Sequence, residues 1–388
     1  MIIGHYEHDI WIQGGIASYI RRISAAQQAA GHQVYFFSKK PSQGQNGEIQ
    51  PIVAATDAAL FSQAEEVGLD ILHLHTSVDM PPPDSLPTLR TLHTHKPYCP
   101  SGGKFLKRWK SPCDRPYSLH GCLWGHLVDH CGSMRPENIY ENLHRTHLEI
   151  ATLSEIPVVA VSHFLKNQMV KTGYDPALID VLHLFAPKVS NETPPPDQGI
   201  PHFVFLGRIV PQKGLEWLLR ALQQVEVPVH LDVAGEGYEL PELQRLVEKL
   251  QLKDIVTFHG WVDEHQVNAL IGSARALIFP SVWHEPGGTV AFEAMAQSRA
   301  VIMSKVGGMP EVVLHEKTGL LIEPNDISQL AKSIERLAVD WSLAQQLGAE
   351  GRRMAAEQYN QQRHVDQLMQ FYRQTIAYKL DLPTALFS

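Results

Sequence analysis

Long hydrophobic runs are missing from this 388-residue sequence. Its most apolar stretches, residues 156–161 and 274–279, fall far short of the ~20 residues a membrane span needs. The opening Met1-Ile2-Ile3-Gly4-His5 has no basic group and no apolar block of signal-peptide length, so secretion is not expected. An excess of basic charge is missing too. The chain has 33 Lys+Arg against 41 Asp+Glu, a net charge of −8. Residues 1–190 hold 16 basic and 17 acidic groups, and residues 191–388 hold 17 and 24, so neither half is basic enough to make nucleic acid the evident partner. Cysteine is scarce: four residues, all between Cys99 and Cys131, with no CxxC pair. The expected compartment is the cytoplasm, with peripheral contact at the inner membrane face left open.

What is present is 44% hydrophobic and 19% charged residues, the balance of a soluble globular chain. The length suggests two domains at roughly 150 residues each. Short β-branched runs alternate with helix-length segments. Residues 34–37, 71–75, 91–95, 158–162 and 179–184 read as buried strands, and the series restarts at 203–206, 229–234, 255–258, 276–279 and 301–304. Helices fall between them, for example 215–224 and 240–250, the latter with Leu243, Leu246, Val247 and Leu250 on one face. This alternation argues for an α/β fold with parallel sheets wrapped by helices. The segment 187–199 contains Pro194-Pro195-Pro196 and reads as a semi-rigid connector. The expected domains are therefore 1–190 and 200–365, with a C-terminal helix, 366–388, packing back on the first. Residues 81–150, rich in Pro, Gly, His and Cys, read as an irregular functional loop. Open α/β sheets bind ligands beyond the carboxyl ends of their strands, which is where motifs should fall.

Four strings do fall there. Gly207-Arg208 with Lys213-Gly214 follows the strand 203–206; the arginine fork suits phosphate oxygens and the lysine adds a point charge at a helix start. A turn with two solvated cations is the competing reading. Residues 279–296 pass from a strand through Glu285, Gly287 and Gly288 into a helix carrying Glu293. The N–H groups of Gly287, Gly288, Thr289 and Val290 suit an anion. One carboxylate is placed beside a reacting centre and the other where it accepts from a diol. A helix-start acid and an exposed loop acid are the plainer alternative. Gln13-Gly14-Gly15 and Gly235-Glu236-Gly237 end strands in the same manner and are weaker signals.

In order along the chain, these strings resemble the retaining glycosyltransferases of family 4. The resemblance also takes in Gly31-His32-Gln33-Val34, Val159-Ala160-Val161-Ser162, Phe258-His259-Gly260-Trp261-Val262 and Gly307-Gly308-Met309-Pro310-Glu311. It implies the GT-B fold, two Rossmann-like domains facing across a cleft. It further implies a nucleotide-diphosphate sugar donor, UDP-type first and GDP-type second, and a sugar-containing acceptor selected by the N-terminal domain. On this resemblance Arg208 and Lys213 neutralise the leaving pyrophosphate, a role that fixed cations perform by stabilising developing charge. Glu285 lies by the donor sugar, Glu293 binds the ribose, Val262 contacts the base by its backbone, and His93 reaches the donor sugar. Gly14, Gly15, Gly207, Gly235 and Gly287 to Val290 line the nucleotide sugar. Transfer requires no cofactor. Rival readings are a GT-B nucleotide-sugar epimerase or phosphorylase, and a non-catalytic nucleotide-sugar-binding partner. His183-Leu184-Phe185-Ala186-Pro187 stands where the family commonly has Pro-Asn-Gly, a departure on the acceptor side.

Two features of the loop remain. Cys122, His126 and His130 are spaced to share one helical face, and with Cys113 and Cys131 they offer structural zinc ligands; reduced thiols or a disulfide are the other readings. Lys104, Lys107, Arg108 and Lys110, interleaved with Phe105 and Trp109, form a basic run. It suits anionic lipid heads or a phosphorylated acceptor, or is simply a solvated face. The acceptor is then a lipid-linked sugar or polysaccharide, or a phosphorylated sugar as in sucrose-phosphate synthases.

Overall fold

The computed structural model describes residues 1–11, 14–41, 50–188 and 193–379. Gln13, part of the first glycine string, residues 189–192 of the connector and residues 380–388 of the expected C-terminal helix lie outside that set. The chain divides into two compact units. Unit 1 comprises Met1–Gly103, Arg115–His183 and the last helix from Gln361; unit 2 comprises Lys104–Asp114 and Leu184–Asn360. No helix among the described residues is long and apolar enough to cross a membrane.

Unit 1 is built on strands β1 (Ile2–Glu7), β2 (Gln33–Ser38), β3 (Ile52–Val53), β4 (Ile71–Leu74) and β5 (Thr88–Leu92). A short hairpin, β6 (Phe105–Leu106) and β7 (Ser111–Pro112), intervenes before β8 (Val158–Ala160) and β9 (Ile179–Val181) return to the sheet. The order is β3-β2-β1-β4-β5-β8-β9, all parallel. Strands such as β4 and β5 are buried along their whole length, as expected where helices cover both faces. The register sets His5 opposite His73 and His73 opposite Leu89. Because side chains alternate, His5, His73, His75, Thr91 and His93 then lie on one face. That face meets helices Gly15–Ala29 and Gln361–Lys379, whose Tyr19, Gln27, His364 and Tyr372 are all buried.

Unit 2 repeats the plan with β10 (His202–Leu206), β11 (His230–Ala234), β12 (Val256–Gly260), β13 (Ala276–Phe279), β14 (Ala300–Ser304) and β15 (Leu320–Ile322). Its order is β12-β11-β10-β13-β14-β15, again parallel. Helix Leu215–Leu222 buries Leu215, Leu218, Leu219 and Leu222 against this sheet. At about 25 cal/mol per Å² of apolar surface, each such leucine contributes on the order of 2 kcal/mol.

Four expectations shift. First, residues 104–114 leave unit 1 and become part of unit 2: Phe105 is fully buried in the unit 2 core, and Lys110 pairs with Glu216. A buried aromatic decides which body a loop joins. Second, 81–150 is not irregular throughout. Helices Leu119–Leu127 and Pro136–Thr152 occupy much of it, the second burying Ile139 and Leu143. Third, the connector is anchored rather than merely stiff. Buried Arg275 donates to the Pro196 carbonyl, buried Arg299 to that of Thr193 and Trp341 Nε1 to that of Pro195. The unit boundary accordingly lies at His183/Leu184, and the last helix starts at Gln361, ahead of the expected 366. Fourth, β5 ends at Leu92, so that His93 to His95 sit beyond the strand's carboxyl end.

Candidate functional site

In unit 2 the strand order reverses direction between β10 and β13, the switch point where open α/β sheets accept ligands. The residues that follow these two strands are the ones singled out from sequence. Lys213 Nζ lies 2.6 Å from Glu285 Oε1, and Ser281 Oγ donates to the same oxygen at 2.8 Å. Both members of the pair are largely withdrawn from water, with side-chain exposures of 12% and 5%. Lys213 Nζ also stands 4.9 Å from the Phe279 ring centroid and 5.1 Å from that of Trp283. Glu285 is held by its backbone as well, its carbonyl accepting from Gly308 N at 2.8 Å. Arg208 is exposed, its carbonyl accepts from Val210 N at 3.0 Å, and its guanidinium makes no ion pair or hydrogen bond to another described residue. The switch point thus carries one neutralised buried cation and one open one. An anion arriving there gains the Arg208 fork directly and competes with Glu285 for Lys213.

Backbone geometry opens the same end of the sheet. The Gly207 N–H bonds the Ala234 carbonyl and the Gly235 N–H bonds the Gly260 carbonyl, lacing the ends of β10, β11 and β12 together. Gly235 has φ 138°, and a Cβ there would lie 1.9 Å from the Gly207 carbonyl oxygen. Gly288 caps helix Thr289–Ala296 at φ 51°, with Met309 Sδ only 2.4 Å from where a Cβ would be. Only glycine lets these turns close on one another. Gly287 is buried, while Thr289 and Val290 open the helix with unshared N–H groups, and Glu293 is half-buried one turn further on. Val262 is half-buried just past β12.

In unit 1, Gly14 and Gly15 open helix Gly15–Ala29 after β1, and His93 follows β5. The His93 ring is half-buried, with Nε2 3.2 Å from His75 Nδ1. Burial lowers its pKa to about 3, and His5 is lowered to about 4 by the same cause. His73 and His75 lie well below the ordinary imidazole range, through burial first and then through neighbouring imidazoles, His5 and His93 in both cases. This end of unit 1 is therefore a neutral imidazole surface. The sequence signal for it was the crowding of histidine before residue 190 and the two-residue spacing of His73 with His75 and of Thr91 with His93. Gln27, Tyr372 and His364 gave no such signal, because helices bring them in from distant segments.

The basic run does not act as one face. Lys104 is buried, Lys110 pairs with Glu216, and Lys107 and Arg108 point outward, the Arg108 guanidinium 5.0 Å over the exposed Trp109 ring. Asp114, at the end of the same strap, accepts from His284 Nε2 at 2.8 Å. The zinc set is not assembled. No described grouping compact enough for a metal includes Cys113, Cys122, His126 or Cys131, and none of the four cysteines is in a disulfide. Helix Leu119–Leu127 ends before His130, whose φ of 55° takes it out of the helical line with Cys122 and His126. Among the described residues the groupings compact enough for a metal lie elsewhere, at His5, His73 and His75 and at His202, His230 and Asp232.

Two parallel α/β units of this topology, the second with a glycine-laced cationic switch point, define a GT-B protein. The solved structures similar to this chain agree. Sucrose-phosphate synthase from Thermosynechococcus elongatus aligns at a TM-score of 0.71 with 23% identity, covering 97% of this chain and 99% of that one. The Anabaena HepE complex with UDP-glucose aligns at 0.67 with 17% identity, covering 97% and 100%. Residues 190–354 match the family model of the glycosyl transferases group 1. Among curated relatives, the alpha-maltose-1-phosphate synthase of Mycolicibacterium smegmatis is 30% identical over 57% of this chain and 63% of its own length. The chain spans about half the length of the first curated relatives it matches, from 40% to 63%.

Proposed function

We propose that the chain is a glycosyltransferase that moves a sugar from a nucleoside-diphosphate sugar to a hydroxyl of a sugar-containing acceptor, with retention of configuration. The observation that carries this reading is the unit 2 switch point: open Arg208, the buried Lys213–Glu285 pair and the helix that starts at Gly288–Thr289. In the reaction, the bond from the anomeric carbon to the β-phosphate oxygen breaks and its electron pair leaves with the phosphate. The acceptor oxygen bonds to the anomeric carbon on the same face, and its proton passes to the departing phosphate. Arg208 and Lys213 stabilise the charge that grows on that phosphate, the kind of fixed electrostatic help that costs no reorganisation during the step. Glu285 holds Lys213 in place until the pyrophosphate arrives, Glu293 accepts from the ribose hydroxyls, and Val262 offers backbone groups to the base.

A UDP-type donor is supported by the similarity to a protein solved with UDP-glucose. Relatives named for maltose-1-phosphate and sucrose-phosphate put phosphorylated sugars first among acceptors to screen, ahead of lipid-linked sugars and polysaccharides. Thermal melting with UDP, GDP and ADP tests the reading directly. A nucleotide present at 100 times its Kd adds about 2.7 kcal/mol of stability. Failure of all three to stabilise the chain sinks it. Incubation with donor alone separates the rivals: slow release of free sugar marks a transferase, an altered nucleotide sugar marks an epimerase, and binding without turnover marks a non-catalytic partner.

A further inference from the structure

Five histidines of unit 1, His5, His73, His75, His93 and His364, are joined into one hydrogen-bonded line whose direction can be read from its far end. His364 Nδ1 faces the His183 carbonyl oxygen at 2.9 Å. A carbonyl only accepts, so His364 carries its proton on Nδ1 and Nε2 is bare. Tyr19, whose hydroxyl lies 2.9 Å from that Nε2, must donate to it. The Thr91 hydroxyl bonds the Tyr19 hydroxyl and, since Tyr19 has spent its proton, donates to it. Thr91 Oγ1 then accepts from His73 Nε2 at 2.6 Å, which leaves His73 Nδ1 bare to accept from the Tyr372 hydroxyl at 2.7 Å. Tyr372 in turn accepts from Gln27 Nε2 at 3.2 Å. The amide orientation of Gln27 is thereby set, and its oxygen is turned to His5 Nε2, 2.8 Å away.

The same logic runs outward from Gln27. His5 donates from Nε2, so its Nδ1 accepts from His75 Nε2 at 2.9 Å. His75 Nδ1 accepts from His93 Nε2 at 3.2 Å. His93 therefore ends the line with a bare Nδ1, which has no hydrogen-bond partner among the described residues. Each step requires a neutral imidazole, and burial supplies that condition, holding His5 and His364 near 4 and His93 near 3. Reversing one bond would reverse all of them, because every hydroxyl and ring in the line has one proton to give. A metal at His5, His73 and His75 does not fit this arrangement, since both nitrogens of each ring are already bonded.

We propose that Gln27 is a positioning residue that locks His93 as a hydrogen-bond acceptor, so that its Nδ1 selects a ligand group that donates, a sugar hydroxyl, at the carboxyl end of the unit 1 sheet. The inference rests on the glycosyl-transfer reading for the identity of the ligand, and on unit 1 alone for the polarity. A ligand atom that only accepts, such as a keto or phosphate oxygen, meets a lone pair there and is disfavoured.

The test uses the full chain labelled with ¹⁵N and long-range ¹H–¹⁵N correlation of the imidazole rings at neutral pH. The expected spectrum shows His93 and His75 protonated on Nε2 only. A proton on His93 Nδ1, or an imidazolium, overturns the proposal, as does displacement of these protons by added Zn²⁺. Gln27→Met is expected to scramble the His93 tautomer and lower kcat roughly tenfold or more, since a wrong tautomer disables an otherwise intact histidine. The melting shift produced by UDP, which reads unit 2, should stay at the wild-type value. Unchanged His93 signals and unchanged kcat in the folded variant overturn the proposal. Tyr372→Phe, which breaks the line one bond earlier, gives the same readout if Gln27→Met does not fold. Donor and acceptor analogues carrying fluorine in place of single hydroxyls locate the ligand: one position should lose rate in wild type and show no further loss in Gln27→Met. If no position on either substrate behaves so while the tautomers are as stated, the ligand assignment falls with the transfer reading of unit 1. If the tautomers are wrong, the polarity falls whatever the kinetics.

Discussion

Units 1 and 2 carry the same sheet plan, yet the side chains at the carboxyl ends of their strands obey different electrostatics. Unit 2 places an open Arg208 and a buried Lys213–Glu285 pair around glycine turns that no side chain could replace. Unit 1 places neutral imidazoles in a closed hydrogen-bonded line, with only His93 at its rim. Charge suits a ligand that is itself charged and leaves with more charge than it brought. A neutral, directional surface suits hydroxyls, which differ from one another in position rather than in charge. The lesson is that an architecture used twice fixes where a site lies, and local dielectric and proton bookkeeping fix what it recognises.

Acid should break this contrast most strongly. The unfolded chain binds protons near pH 6.5 at histidines that stay neutral in folded unit 1 down to about 4 for His5 and His364 and about 3 for His93. Stability therefore falls as pH drops from 6.5 toward 4, by roughly 1 kcal/mol per pH unit for each such group, and levels off below the folded pKa values. Unit 1 is expected to open first, seen as hydrogen exchange rising in β1, β4 and β5 ahead of β10 to β14. Simultaneous loss, or unit 2 opening first, contradicts the assignment of buried neutral rings. Next comes Lys213→Ala, which strands Glu285 inside and should cost about 3–5 kcal/mol by denaturant titration. Pairing it with Glu285→Gln should recover much of that stability and none of the transfer rate.

Arg208→Ala separates function from folding in the same unit. Transfer is expected to fall roughly 10²–10³-fold while stability moves by less than about 0.5 kcal/mol. A variant that transfers as fast as wild type at saturating donor removes Arg208 from the reaction. The last comparison is between the glycine turns. Gly235→Ala drives a Cβ onto the Gly207 carbonyl and should cost about 3 kcal/mol, whereas Gly14→Ala meets nothing within 4 Å and, at φ 152°, should cost about 1 kcal/mol in a melting experiment. Equal costs would mean the unit 2 turns are looser than their geometry states.

Much of unit 2 was legible from sequence because its signals are local. A buried parallel strand announces itself as a short apolar run, and Gly207-Arg208, Glu285, Gly287-Gly288 and Glu293 follow such runs directly. Even there the Lys213–Glu285 contact was hidden, since the two residues are 72 positions apart and lie after strands that become neighbours only in the sheet. Unit 1 was far less legible. Cys122, His126 and His130 had helical spacing, but the helix stops at Leu127, and the proposed ligand set dissolved. The basic run had the composition of a charged face, but Phe105 turned it into a strap on unit 2 with Lys104 buried and Lys110 paired.

By itself, the amino-acid sequence determined that two parallel-sheet units form and which strand ends carry glycine, arginine and carboxylate, because periodicity and turn chemistry are properties of neighbouring residues. Only the tertiary structure decided that residues 104–114 join unit 2, that Lys213 is neutralised, and that a backbone carbonyl at His183 orients protons as far as His93. Those outcomes depend on burial and on directional contacts between distant segments. A low dielectric makes such contacts strong, and only the folded chain supplies it.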